Sequence, residues 1–353
     1  MTEGKMITTI DELEAERRKG IGVMLPPAGE WVEASLAEFR YFSDGIGDYN
    51  PLWRDEEYAR KTRYGTNVAP PTFILKVFMG EEPTWGSIDR KLISAGSFPA
   101  NFAGFEMEFF RPIMRGDKVR WTERVGDVQR KMSQRVGPIL FAEGLNTYYN
   151  QRMEKVATLN CRLARYKNIG GAINYDRGAK PGAVTESADS LVWERTRRGS
   201  ETLYWDDVAK GEELPTLKKG TFTSMELIYY WLLSKSHGDS RTKEGPLMQG
   251  HLDEKDAANV RNMPGTFDEW GMRGSWLAQI VSDWMGDEGT FKKLQVSLRH
   301  PNVAGDTNTV YGRVDKKYIE GDQHLVDVEV WNRNQAELIT ATGWATVALP
   351  SRS

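Results

Sequence analysis

Cysteine is nearly missing from this sequence: Cys161 is the single example in 353 residues. One thiol excludes an internal disulfide framework and any zinc site of the CxxC type. An excess of either charge is also missing, with 47 basic against 50 acidic residues and a formal net charge of −3. No global field therefore recruits nucleic acid or an anionic membrane. No run approaches the roughly 18 consecutive apolar residues that a membrane span requires. The opening residues, MTEGKMITTIDELEAERRKG, are polar and charged and hold no apolar segment before a small-residue cleavage site. They predict no secretory leader, and a cytoplasmic location is the expectation. What is present, 39% hydrophobic and 27% charged residues, is the composition of a globular protein. The length predicts two domains.

Self-similarity decides how those domains are built. IGDYNPLWRDEEYARKTRYG (Ile46 to Gly65) is followed later by EFFRPIMRGDKVRW (Glu108 to Trp121). In the second half, HGDS and HLDEKDAANVRN (between His237 and Asn262) are followed by VSLRHPNVAGDTNTV (Val296 to Val310). Pro112 precedes Asp117 by the same interval as Pro301 precedes Asp306. Each half also approaches its first Gly-Asp through a segment opening Ser35-x-x-Glu38 or Thr223-x-x-Glu226, the signature of a capping box. Four features in one order at nearly equal spacing point to duplication. The segment from Asn168 to Ser190, rich in Gly, Ala and Pro and lacking apolar periodicity, reads as a linker. Its glycines neither follow a strand nor open a helix, so it is no phosphate loop. The expected division is 1–166, a linker over 167–200, and 201–353.

Secondary structure repeats in the same order. A capped helix and a loop lead to a second helix, begun in one half by PPTFILKVFMGEE and in the other by GMRGSWLAQIVSDWMGD. In the latter, Met272, Trp276, Ile280 and Trp284 recur every four residues and predict one buried stripe. Three strand-like runs follow in each half, rich in β-branched and aromatic residues: 118–128, 139–150 and 155–166, then 309–319, 324–332 and 338–349. The class is α+β.

GDYNPLWRDEEYA resembles the hydratase-2 motif of MaoC-like proteins, Gly-Asp-x-Asn-Pro-(Ile/Leu)-His followed by Asp and an acidic-x-x-Ala stretch. HLDEKDAA, MPGTFDEWGM and RHPNVAGDT resemble the same family in the second half. The likeness begins near residue 30 and implies a double hotdog, each half an antiparallel sheet wrapped around one central helix. It also implies (R)-specific hydration of enoyl-CoA, or dehydration of 3-hydroxyacyl-CoA, with Asp and His holding the water and a helix-start N–H polarising the thioester. The N-terminal half corresponds to a FAS1-like dehydratase half. Both halves depart from the motif. In the first, Asp48, Asn50 and Pro51 are in place, but Trp53 stands where the histidine belongs. Indole carries only a donor N–H, so this half cannot shuttle a proton. In the second, Asp239 and His251 match, but they lie twelve residues apart (251 − 239) where the family has five, so the loop between acid and base is longer.

Hydration of a conjugated thioester needs a base for water, an acid for Cα and a donor for enolate charge. Asp239 and His251 are the candidate catalytic pair, because imidazole serves either role near neutrality. Gly271 is the candidate backbone donor at the central helix start. Asp48 and Asn50 read first as stabilisers of their own loop and second as substrate contacts. Trp53 is packing or an aromatic wall for an acyl group; Trp270 is core first and pocket lining second. No metal and no cofactor are expected beyond the CoA of the substrate. The expected partner is an acyl-CoA thioester, with association beyond the fused pair into a homodimer or larger oligomer left open. Two other functions compete: a non-catalytic acyl-CoA-binding subunit of a larger complex, and a hotdog thioesterase.

Overall fold

The computed structural model describes residues 6–25, 28–78, 98, 100–134, 136–167, 196–234, 251, 253, 255, 257 and 263–352. Ten strands form one sheet: β1 (Ala28–Glu33), β2 (Ala100–Phe109), β3 (Lys118–Ser133), β4 (Gly137–Asn150), β5 (Lys155–Tyr166), β6 (Leu217–Thr221), β7 (Thr290–Leu298), β8 (Thr307–Glu320), β9 (Gln323–Asn334) and β10 (Ile339–Ala348). Their spatial order is β1-β3-β4-β5-β2-β7-β10-β9-β8-β6, so the second five repeat the first five in reverse across the β2–β7 seam. Every pairing is antiparallel. Side chains along β4 and β9 alternate between buried and partly exposed, as expected when one face of a sheet covers a core.

Glu106 on β2 pairs with Gln295 on β7. The same offset relates Pro112 to Pro301 and Asp117 to Asp306 (295 − 106, 301 − 112 and 306 − 117 are all 189). A pseudo-twofold axis therefore passes through the middle of the seam. The symmetry extends to individual hydrogen bonds. Asp117 accepts from the Met114 N–H and from Gln151 Nε2, each at 2.9 Å. Asp306 accepts from the Val303 N–H at 2.8 Å and from Gln335 Nε2 at 2.9 Å. The repeated Gly-Asp thus ties a turn to the sheet, a structural task.

The helices are α1 (Ile10–Lys19), α2 (Leu36–Ile46), α3 (Pro51–Arg54), α4 (Glu56–Arg60), α5 (Ile74–Phe78, entered through a 3₁₀ turn Pro71–Phe73), α6 (Ser224–Ser234) and α7 (Trp270–Met285). Of the two anticipated capping boxes, Ser35 forms its hydroxyl bond, with the Glu38 N–H donating to Oγ, and Thr223 and Glu226 exchange both bonds. The Glu38 carboxylate also lies 2.8 Å from Lys76 Nζ, whose side chain is fully buried. A third box, Thr9 with Glu12, opens α1.

Two expectations change. Four further strands exist, β1, β2, β6 and β7, because Gly104 and the acidic Glu106 and Glu108 weaken the apolar signal in β2, and lysines do so in β6 and β7. And α7 is not buried along one stripe: all 16 of its residues are buried. Sheet and first half enclose it together, and its charged side chains and Gln279 are met individually. Arg273 pairs with Asp268 at 2.8 Å, Gln279 receives Lys219 Nζ at 3.1 Å, and Asp283 receives Arg197 Nε at 2.9 Å. Burial of charge without such partners is not tolerated. Gly274 lets Phe105 of β2 lie against this helix; a Cβ there would collide with the ring. Among the described residues, no helix is long and apolar enough to cross a membrane.

Candidate active site

The first half builds its site from a helix end. α2 stops at Gly47, whose left-handed φ of 64° suits glycine. The Asp48 N–H then returns to Ser43 O at 2.8 Å. Lys219 Nζ, from β6 of the other half, lies 2.8 Å from Ile46 O and 3.2 Å from Gly47 O. A cation here satisfies carbonyls that the helix leaves open and complements its dipole. Asn50 caps α3 through Oδ1, which accepts from the Leu52 N–H at 3.0 Å, and Pro51 follows at the first helical position.

Asp48 is thereby held by its own loop. Its Oδ1 accepts from the Asn50 N–H at 3.0 Å, and its Oδ2 from Trp53 Nε1 at 2.9 Å. Arg197 approaches Oδ1 at 4.0 Å. Asp48, Asn50 and Trp53 are all buried. A carboxylate clamped under a permanent donor stands where the resemblance implied an acid–base pair.

The second half reproduces this frame. Asp55 Oδ1 accepts from the Glu57 N–H at 2.9 Å, and the Ala59 N–H reaches Asp55 O at 3.0 Å. Asp253 Oδ1 accepts from the Lys255 N–H, and the Ala257 N–H reaches Asp253 O, both at 2.8 Å. These positions share one offset (253 − 55 and 257 − 59 are both 198), and it carries Trp53 onto His251. The His251 ring lies against Phe267 with centroids 4.1 Å apart, and Trp231 stands 6.2 Å away. Nδ1 is 3.1 Å from Phe267 O. A carbonyl only accepts, so Nδ1 carries the hydrogen and the neutral ring holds its lone pair on Nε2. Asp239, the anticipated partner, lies outside the described residues, as does the loop between the two.

Gly271 sits at the start of α7, as anticipated. Its N–H donates to Glu269 Oε2 at 2.7 Å, and the Tyr230 hydroxyl also bonds the Glu269 carboxylate. Burial, then the neighbouring Glu269 charge, pushes the Tyr230 phenol well above its ordinary range. A side chain at 271 would meet the Tyr230 hydroxyl and Glu269, so glycine is required by space. Neither Glu269 nor Tyr230 was singled out in the sequence, although the acid two residues before the glycine in DEWG is a helix-start signal. Just before them, burial raises the Asp268 carboxyl to about 7 against the opposing pull of Arg273 and Asn302. Trp270 is buried, stacked on Phe102 at 4.2 Å and edge-on to Phe105 at 5.3 Å; it joins the two halves in the core.

The corresponding helix start of the first half is different. Val68 bridges Met114 as Phe267 bridges Val303, which places Pro70 and Pro71 where Glu269 and Trp270 stand. Proline has no N–H, so the donors at these two positions are gone, while Thr72, which stands where Gly271 does, keeps its own. Beside them is a cavity of about 350 Å3, lined by Asn50 and Trp53, by Pro70 and Pro71, and by the end of α7 at Ser282 and Met285. Among the described residues, no group of three or more His, Cys, Asp or Glu side chains is placed to hold a metal ion.

Comparison with known proteins places the chain. A profile described as the FAS1-like, dehydratase domain region matches residues 21–159. A Thermomonospora curvata protein named "Probable enoyl-CoA hydratase alpha subunit" is 28% identical over 208 residues, 56% of this chain and 58% of that one. The 3-oxo-4,17-pregnadiene-20-carboxyl-CoA hydratase alpha subunit of Mycobacterium tuberculosis is 27% identical over 202 residues, 54% and 56% of the two chains. The matches thus span little more than half the length of these relatives. Among solved structures, a MaoC-like dehydratase superposes with a TM-score of 0.70 at 18% identity, covering 95% of this chain and 99% of that one. A Mycobacterium tuberculosis protein described as having a double hotdog fold gives 0.60 at 12% identity, covering 93% and 96%. The chain has the double hotdog fold seen in a MaoC-like dehydratase, and its residues 21–159 match the FAS1-like dehydratase domain region.

Proposed function

We propose that this protein is a hydro-lyase acting on CoA thioesters, adding water to an enoyl-CoA or removing it from a 3-hydroxyacyl-CoA with (R) specificity. Chemistry belongs to the C-terminal half, residues 201–353, and the N-terminal half, 1–166, is catalytically degenerate and shapes the acyl or CoA tunnel. One observation carries the reading: His251 takes the place that Trp53 holds in the first half, with its Nδ1 engaged by Phe267 O at 3.1 Å. With Nδ1 on that carbonyl, Nε2 is the nitrogen that accepts a proton from water as the water oxygen bonds to Cβ. Asp239 shares the water, and the pair returns a proton to Cα. The enolate oxygen takes the Gly271 N–H in place of the Glu269 carboxylate. The names of the two relatives, one for an enoyl-CoA hydratase and one for a hydratase of a steroid-type CoA ester, support the substrate class and an acyl group bulkier than crotonyl. A panel of enoyl-CoA and 3-hydroxyacyl-CoA esters, assayed for turnover with analysis of product configuration, tests it.

A second reading rests on those same names, since both relatives are alpha subunits. In it the chain binds the acyl-CoA while a partner chain completes the catalytic site. Turnover by the isolated chain rejects this reading; turnover only after a second chain is added supports it.

A further inference from the structure

The first half has lost its acid–base histidine to Trp53, yet it keeps a cavity of about 350 Å3. That volume is within the range of small-ligand pockets, roughly 300–1,000 Å3. A site with no remaining task and no ligand is expected to close by repacking, because empty space forfeits contacts. Here the walls are instead apolar where a hydrocarbon body would lie, with Trp53, Phe109, Met285 and Phe291, and basic at Arg63 and Arg111. Arg63 is engaged by Gly289 O at 2.8 Å and Thr290 Oγ1 at 2.9 Å. Arg111 is exposed and meets Glu154 at 3.4 Å.

A second, independent observation concerns Ser282, on the α7 wall of this cavity. The residue is 3% exposed, and its Oγ finds no hydrogen-bond partner among the described residues. Buried hydroxyls in native proteins nearly always have one, and a helical serine has its own i−4 carbonyl within reach. An orphan hydroxyl on the wall of an apolar cavity marks a place for a ligand oxygen.

We infer that the first-half cavity is a second ligand site that binds without turnover and takes an amphipathic acyl anion. The hydrocarbon body lies against Trp53 and Phe291, a carbonyl or carboxyl oxygen accepts from Ser282 Oγ, and the anionic head meets Arg111. A free fatty carboxylate and an acyl-CoA thioester share this chemistry. The inference does not require the second half to be catalytic, because its readout is binding.

The test is calorimetric titration of the full chain carrying His251→Ala with decanoate in one arm and decanoyl-CoA in the other, saturated ligands that a hydro-lyase does not consume. Single changes Ser282→Ala and Arg111→Glu are added in that background, and Ala69→Phe is used to fill the cavity should either disturb folding. The expected result is one equivalent of ligand at this cavity, beyond any decanoyl-CoA taken up by the second half, whose affinity falls about tenfold with each of the first two changes and is lost with the third. Response to decanoate identifies the ligand source as free carboxylates; response to decanoyl-CoA alone identifies it as thioesters. Binding unaffected by all three substitutions, or no binding in either arm, overturns the inference. Turnover of the unsubstituted protein is measured separately, so the loss of one conclusion does not mask the fate of the other.

Discussion

Trp53 Nε1 donates to Asp48 Oδ2 at 2.9 Å, and this one bond separates the two halves chemically. An imidazole at that position could pass a proton to and from the carboxylate; an indole can only hold it. The same bond is structural, since Asp48 is 2% exposed and needs its donors.

Trp53→Phe therefore keeps most of the packing in the cluster with Leu52, Ala59 and Val68 but leaves Oδ2 without its buried donor. The expected loss is about 1–3 kcal/mol of stability, read as a lower midpoint in urea. An unchanged midpoint contradicts the clamp.

Lys219 links the halves by reaching from β6 to the end of α2 and to Gln279 of α7. Lys219→Met keeps the stem and removes the charge-assisted bonds. Stability is expected to fall by about 1.5–3 kcal/mol, with the two halves unfolding less cooperatively in calorimetry. A variant that melts as the parent does argues that water replaces the ammonium at the α2 end.

Asp268 supplies a pH dependence whose direction is fixed. Its folded pKa, about 7, lies above the ordinary carboxyl value because of burial. Between roughly pH 4 and 7 the folded state then holds a proton that the unfolded chain releases. Stability attached to this group is complete below pH 4 and declines as pH rises to about 7, by at most about 1.4 kcal/mol per pH unit. Asp268→Asn should remove that slope in denaturant titrations at pH 4, 5, 6 and 7. A slope that persists belongs to another group.

Much of this was legible beforehand, for identifiable reasons. The duplication showed because Pro112 and Asp117 recur as Pro301 and Asp306, and their hydrogen bonds explain why spacing persists where sequence does not. The inner strands 139–150 and 324–332 showed because half-burial imposes alternation. β2 and β7 did not, although they form the seam, because Glu106 and Lys293 face each other across it as an ion pair at 2.8 Å and break the apolar pattern. Trp53 was legible as a lost histidine; its bond to Asp48 was not, since rotamers are absent from sequence. Gly271 was found by position at a helix start. That its N–H is held by Glu269 is a local cap; that Tyr230 arrives from α6 to share the same carboxylate is a tertiary contact no local pattern encodes.

The most direct test of the account is kcat/KM on the enoyl-CoA panel for the parent and for His251→Ala, with folding of both verified by circular dichroism. The account predicts turnover by the parent and a loss of about 10²–10⁴-fold in the variant. Equal turnover by the two folded proteins would contradict it, as would a parent that turns over none of the esters.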